Sequence, residues 1–339
     1  MRNMIVTLPK TLISTILLSG AALADEPVTV DTFVRAETDM TMQRYVDQGA
    51  FGQFYHIRQP TPMDAQDVIR MNRDTLYSAG VFDLTKPVTI VKPEANGRFQ
   101  SMLIINQDHS MEPVEHDSGE FTLTQEDIGS RYVFVILRTF VDANSPDDIA
   151  EANALQDQII VKQEDSGKFE IPEWNEEQLV DLRVAVNVLA ATKSDIKGFF
   201  GDKEKLNPID HLLGTAYGWG GNPVEAAVYQ NVVPAMNDGT TPHSITLTEE
   251  VPVDGFASIT IYNADGYMEP NELNSYSFNS VTAVRNDDGS VTVNAGGCDD
   301  GRPNCIPITV GWNYIVRLYQ PKKEVQTGEW VFPTMAPVE

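Results

Sequence analysis

At 339 residues, 42% of them hydrophobic, the chain exceeds the length at which one core stops growing, so it is expected to divide into domains that each bury a core. A formal charge of −25 excludes nucleic acid as a partner, because that affinity rests on Lys and Arg displacing counterions from phosphates. It equally disfavours anionic membrane faces.

Residues 1–24 read as an export signal. Arg2 and Lys10 give the leading positive charge, an apolar run starts at Leu12, and Ala22-Leu23-Ala24 fits the small-x-small cleavage pattern. Cleavage after Ala24 removes two basic residues and no acidic ones, taking the formal charge from −25 to −27. The run is too short to span a bilayer, and no later stretch reaches the roughly 18 apolar residues a spanning helix needs, so no integral membrane association is expected. The expected location is the periplasm or the exterior.

A short helix is expected over Phe33–Gln48, stopped by Gly49, with an irregular aromatic stretch after it. Met71-Asn72-Arg73-Asp74-Thr75-Leu76-Tyr77-Ser78 then packs an amide, a guanidinium, a carboxylate and a phenol into the mouth of a strand. If it is extended, Arg73, Thr75 and Tyr77 point one way and Asn72, Asp74 and Leu76 the other. One set would line a pocket while the other holds the backbone; alternatively Arg73 and Asp74 form a structural ion pair. Strands are expected at Tyr77–Asp83, Val88–Lys92, Arg98–Asn106, Glu120–Thr124 and Tyr132–Val141, with no helical crossover between them, which argues for an antiparallel sandwich and against a nucleotide-binding α/β fold.

Ser145-Pro146-Asp147-Asp148 carries a cap, a proline at the first helical position and two acids, so a helix should run from there to about Val161. A second opens near Asn175 and a third after Asn207-Pro208. Gly218-Trp219-Gly220-Gly221-Asn222-Pro223 reads as a hinge or a ligand-facing loop. Strands return at Ser244–Thr248, Ala257–Asn263, Tyr276–Asn279, Thr282–Arg285, Val291–Asn294 and Trp312–Tyr319, with Asn286-Asp287-Asp288-Gly289 as a hairpin turn. Cys298 and Cys305 lie in a loop rich in turn formers; in an exported chain they are expected to be bridged, and no third Cys or adjacent His stands beside them for zinc. The expected organisation is mainly β: 25–144 an N-terminal sandwich with its leading helix, 145–217 a helical unit, and 218–339 a second antiparallel sandwich.

The stretch Met71 to Ser78 together with Val81-Phe82-Asp83-Leu84 resembles the domain-of-unknown-function family numbered 1254. The second half resembles its companion, family 1214, through Ala257-Ser258-Ile259-Thr260-Ile261-Tyr262-Asn263, Gly266-Tyr267, Asp287-Asp288-Gly289-Ser290, the run from Gly311 to Pro321, and Trp330. The resemblance implies an immunoglobulin-like sandwich, a helical linker and a jelly-roll-like sandwich; it implies no activity. The chain departs from the second family's pattern at Phe256-Ala257, where an aromatic pair is usual.

Three constellations have chemical content. Asp108 beside His109 would fix one imidazole tautomer for a general base, with Arg138, Tyr77 and Arg73 brought to the same rim by the sandwich to hold an oxyanion. The loop from Asp108 to Asp117 offers two histidines and four acids, so a divalent metal is the minor reading beside a solvated acidic loop, and no cofactor is otherwise indicated. Asp265, Glu269, Asn271 and Glu272 suit sugar hydroxyls or ordinary turns, and their spacing does not meet the twelve-residue calcium loop. The leading expectation is an exported protein that binds or transforms a small anionic or oxygen-rich molecule, carbohydrate included, between its sandwiches. The catalytic candidates are His109, Asp108, Tyr77, Arg73 and Arg138, with hydrolase or lyase chemistry as the reaction class, and the binding candidates are Asn72, Asp74, Trp219, Tyr229 and Tyr276. The alternative is an envelope protein that acts through assembly, as a homo-oligomer, by an exposed apolar patch.

Overall fold

The computed structural model describes residues 25–66, 69–193 and 195–338, and the export segment read at 1–24 lies outside them. The described chain is mainly β, with fifteen strands and six α-helices. Every strand pairing is antiparallel except one two-residue parallel pair.

In the first half, α1 (Phe33–Asp47) precedes β1 (Phe54–Ile57), β2 (Thr75–Asp83), β3 (Val88–Lys92), β4 (Gln100–Asn106), β5 (Gly119–Leu123), the single-turn α2 (Gln125–Ile128) and β6 (Tyr132–Phe140). The central sheet has the order β1-β2-β6-β4, and β4 and β6 are buried along their whole length. Because side chains alternate, each strand serves two cores. Phe82, Met102, Ile104, Val133, Val135 and Leu137 join Val88, Ile90 and Leu123 from a second sheet. From the opposite face, Ala79, Val81, Leu103, Ile105, Phe134 and Ile136 meet helical residues, Met42 of α1 among them. Each fully buried aliphatic or aromatic side chain contributes about 1.5–3 kcal/mol, so β4 and β6, with apolar residues on both faces, anchor both cores.

The three helices that follow start where their caps predict. Ser145 Oγ accepts the Asp148 N–H at α3 (Pro146–Gln156), Asn175 Oδ1 that of Gln178 at α4 (Glu176–Ala190), and Asn207 Oδ1 those of Ile209 and Asp210 at α5 (Pro208–Gly218). The expected end of α3 at Val161 is corrected. The helix stops at Gln156, and Ile160–Gln163 becomes β7, paired to β3 in the sheet β5-β3-β7. β-Branched Ile160 and Val161 favour the strand, and β3 offers an open edge there. Val186, Ala190 and Leu213 of α4 and α5 share the apolar cluster of the central sheet, while Leu179, Leu182, Leu212 and Ala216 of the same helices pack with Phe33 and Ala36 of α1 and with Trp174 in a separate apolar cluster.

The second half holds β8 (Ala227–Val232), β9 (His243–Leu247), β10 (Ala257–Tyr262), β11 (Ser277–Asn279), β12 (Val291–Ala295), β13 (Cys305–Ile306), β14 (Asn313–Tyr319), the short α6 (Lys323–Thr327) and β15 (Ala336–Pro337). They form two sheets, β11-β10-β14-β8 and β13-β12-β9-β15. The expected strand at Thr282–Arg285 is absent, because Asn279 Oδ1 captures the N–H groups of Val281 and Thr282 and turns the chain. The turn at Asn286 to Gly289 does form, closed by the Gly289 N–H on the Asn286 carbonyl. Val228, Ile259, Ile261, Tyr314, Val316 and Leu318 from the first sheet and Ile245, Val291, Val293 and Ile306 from the second make one apolar cluster. Cys298 and Cys305 are bridged, with their Cα atoms 5.7 Å apart. No helix among the described residues is long and apolar enough to cross a membrane.

Candidate functional site

The other face of the sheet β11-β10-β14-β8 is polar and is nevertheless buried. Register places Asn279, Ser258, Arg317 and Tyr229 in one row across its four strands, and Ser277 beside Thr260 in the next. This face meets the end of the central sheet of the first half, where Arg138 of β6 lies between Tyr77 of β2 and Ser101 of β4. An aromatic cluster of Phe99, Phe140, Phe256 and Tyr319 closes one side of the junction.

Two guanidinium groups sit in this junction, Arg138 at 7% and Arg317 at 4% exposure. Arg138 donates to Asn222 Oδ1 at 3.0 Å and to the Gly220 carbonyl at 2.6 Å, and its guanidinium carbon lies 5.8 Å from the centre of the Tyr77 ring. Arg317 donates to Thr260 Oγ1, the Tyr262 hydroxyl and the Arg70 carbonyl. Among the described residues these partners are all neutral, and no carboxylate stands within ion-pair distance of either guanidinium. Buried cations are ordinarily paired, so two unpaired ones facing one junction favour negative charge there.

Asp74 is the carboxyl group of the junction. Its Oδ1 accepts from Ser277 Oγ at 3.0 Å and Asn279 Nδ2 at 3.3 Å, while Oδ2 has no partner. Burial pushes its pKa up, against the opposing pull of Arg317 and Ser277, so it keeps its proton to higher pH than an ordinary carboxyl. Asn72 braces the turn, accepting the Asp74 N–H and donating to Thr75 Oγ1 and the Tyr319 hydroxyl. Burial, followed by the neighbouring Tyr229, raises the Tyr319 pKa well above the usual phenol value, leaving a neutral hydroxyl. Ser101 Oγ and Ser258 Oγ are likewise buried without partners. Such groups in a native interior are normally met by water or a bound molecule.

The junction therefore brings together five of the sequence candidates: Asn72, Asp74, Tyr77, Arg138 and Tyr229, the last accepting from Asn222 Nδ2 at 3.0 Å. The others go elsewhere. Asp108 pairs with Arg35 and makes no bond to the neighbouring imidazole. The Asp108 contact expected to fix the His109 ring for general-base chemistry does not form: the ring is fully buried, between His211 and Trp219, with both nitrogens bonded elsewhere. Nε2 accepts the Gly220 N–H at 3.0 Å, so Nδ1 carries the proton and donates it to Thr215 Oγ1 at 2.9 Å. Burial, aided by His211, lowers its pKa to about 3. His109 anchors the loop whose Gly220 carbonyl holds Arg138.

Trp219 turns into the first half, donating from Nε1 to Thr38 Oγ1. The Arg73–Asp74 ion pair does not form; Arg73 donates to the Thr61 carbonyl and lies 5.1 Å over the Tyr276 ring, a pair flanking the junction. The residues of the Asp108 to Asp117 loop diverge, and among the described residues no group of three or more His, Cys, Asp or Glu is arranged to hold a metal. Glu269 and Asn271 are taken up in turn hydrogen bonds with Asn263 and Ser275. Sequence reasoning missed Arg317, Tyr319 and Ser258, and took Asn222 only as part of the hinge or ligand-facing loop. The available signal was the alternation of Ser258, Thr260 and Tyr262 with Ala257, Ile259 and Ile261, which reads as an ordinary solvent face.

A crystal structure of the VPA0106 protein from Vibrio parahaemolyticus has a similar fold: TM-score 0.69 and 17% identity over 91% of this chain and 98% of that one. An uncharacterized protein from Burkholderia cenocepacia aligns at TM-score 0.47 and 13% identity over 86% of this chain and 85% of the other. No curated protein matches the chain significantly. Residues 51–163 match the family described as Protein of unknown function (DUF1254) and residues 232–323 match Protein of unknown function (DUF1214), so the two matches follow one another along the chain.

Proposed function

We propose that the protein is exported and binds a small oxygen-rich anion, a carboxylate or an acidic sugar, in the junction between its halves. The observation that carries this reading is the pair of buried guanidiniums, Arg138 and Arg317, with only neutral partners. Tyr77, Tyr229 and Asn222 beside them are hydrogen-bonding groups suited to hydroxyl and carboxylate oxygens. Short-range guanidinium contacts outweigh the screened field of the acidic surface. Export agrees with the Cys298–Cys305 bridge, which persists in oxidising compartments. We read the paired sheets of each half as the two sandwiches, immunoglobulin-like and then jelly-roll-like, on the strength of the apolar cluster each pair shares.

Native mass spectrometry of the purified protein and calorimetry with glucuronate, succinate and uncharged glucose test this reading. Glucuronate or succinate should bind and glucose should not, and R138M should lose that binding while R138K keeps part of it. A ligand at a hundred times its Kd should stabilise the fold by about 2.7 kcal/mol. Equal binding of glucose and glucuronate, or full anion binding by R138M, would overturn it.

Two other readings each have an observation in their favour. The unpartnered Asp74 Oδ2, on a carboxyl of raised pKa, would serve as a proton donor to a bound oxygen, the hydrolase or lyase version. For assembly, Val180, Val184 and Val188 lie at 49%, 61% and 65% exposure at four-residue spacing on α4. Sedimentation of the parent and of V184E decides that case.

A further inference from the structure

The side chain of Ser101 faces the junction, and that of its neighbour Gln100 points to the opposite face of β4. There it lines a groove of about 690 Å³ between the two halves. Its aromatic lining is Phe99, half-buried, with the buried Phe140 and Phe256 behind it. Gln100 is 3% exposed; its Nε2 donates to Thr139 Oγ1, and its Oε1 has no partner. His116, against the Phe99 ring at 5.8 Å, also lines the groove, and its Nδ1 is buried without a partner.

Five acids, Glu94, Asp117, Asp148, Glu151 and Asp254, line the same groove, against a single arginine, Arg98. Arg98 is already answered by Asp148 and Glu151, and Asp254 lies 3.7 Å from Lys322. Glu94 and Asp117 make no ion pair; the basic group near them is Lys92, buried with its Nζ on the His116 carbonyl at 2.6 Å.

We propose that this groove is a second binding site, for a small organic cation bearing ammonium or guanidinium groups. Aromatic faces attract cations, the unpartnered Gln100 oxygen accepts an N–H, and the surplus acids supply a field of the right sign. Burial, followed by the charge of Lys92, lowers the His116 pKa to about 4, so this ring is neutral and adds no opposing charge. The site differs from the anion junction in its polar residues and in ligand charge, and shares with it the aromatic residues Phe99, Phe140 and Phe256.

The probe is 1,4-diaminobutane, compared by calorimetry with 1,4-butanediol and succinate at low and high salt. The diamine should bind with one-to-one stoichiometry while the diol does not. E94Q/D117N, both exposed positions, should weaken the diamine about tenfold at low salt, and Q100L should weaken it about tenfold at any salt. Neutralising Glu176 and Glu177, outside the groove, should leave affinity unchanged, and R138M should do the same. Equal loss from E176Q/E177Q and E94Q/D117N, or a diol that binds as well as the diamine, would overturn the proposal by showing diffuse attraction to an acidic surface or an uncharged-ligand groove. Absence of diamine binding to the folded parent would overturn it as well, without bearing on the anion junction.

Discussion

Replacing His109 by Gln tests the role of this imidazole as a neutral anchor. The ring keeps its neutral form because burial and the stacked His211 depress its pKa to about 3, whereas the unfolded chain titrates it near the ordinary 6.5. A histidine depressed in this way gives its full stabilisation above about pH 6.5 and loses it as pH falls toward 3, because the unfolded state then binds the proton first. From these two values the loss is about 2 kcal/mol at pH 5 and about 4 kcal/mol at pH 3. The Gln side chain reaches one of the two partners, the Gly220 N–H or Thr215 Oγ1, so H109Q should cost about 2–4 kcal/mol at pH 7.5. That gap should narrow by about 2 kcal/mol at pH 5, where the parent alone carries the penalty. Urea unfolding followed by the fluorescence of Trp219, which stacks 5.3 Å from His109, measures both gaps. The carboxylates and remaining histidines titrate in both chains and largely cancel, leaving the coupling to His211 as the residual difference. A gap that stays constant between pH 7.5 and 5 would refute the anchored neutral ring.

D74N should hold its stability as pH rises past the ordinary carboxylate range, where the parent declines; the raised pKa means the native state keeps a proton that the unfolded chain has given up, and pH-dependent unfolding shows the difference. G214A should destabilise by about 1–3 kcal/mol despite a gain of about 1 kcal/mol in helix propensity. The new Cβ would stand 2.5 Å from the backbone oxygen of Phe199, which thermal melts will register. Reducing the Cys298–Cys305 bridge, which closes a loop with a sequence separation of 7, should cost about 2–3 kcal/mol, read from unfolding with and without reductant.

By itself the sequence determined the local features. Asn175, Asn207 and Ser145 marked three helix starts because their side chains satisfy amides within the next three residues, an interaction that needs no distant partner. Alternation and β-branching gave β3 its bounds, Val88–Lys92, and the turn formers around Cys298 and Cys305 anticipated their bridge. Five members of the junction were legible because polar side chains crowd the start of β2 or punctuate a strand.

What only the tertiary structure decided is which polar faces meet. Ser258, Arg317 and Tyr319 have the alternation of a solvated strand, and it is the docking of the first half that buries them. Ile160 and Val161 fit a helix or a strand until the free edge of β3 selects the strand. Asp108 and His109, adjacent in sequence, part because Arg35 draws the carboxylate one way and the Gly220 amide and Thr215 hold the imidazole another. Local signals act through bonds that close within a few residues, whereas the burial of Arg138 and Arg317 in one junction depends on surfaces far apart in the chain, whose complementarity exists only once both halves have folded.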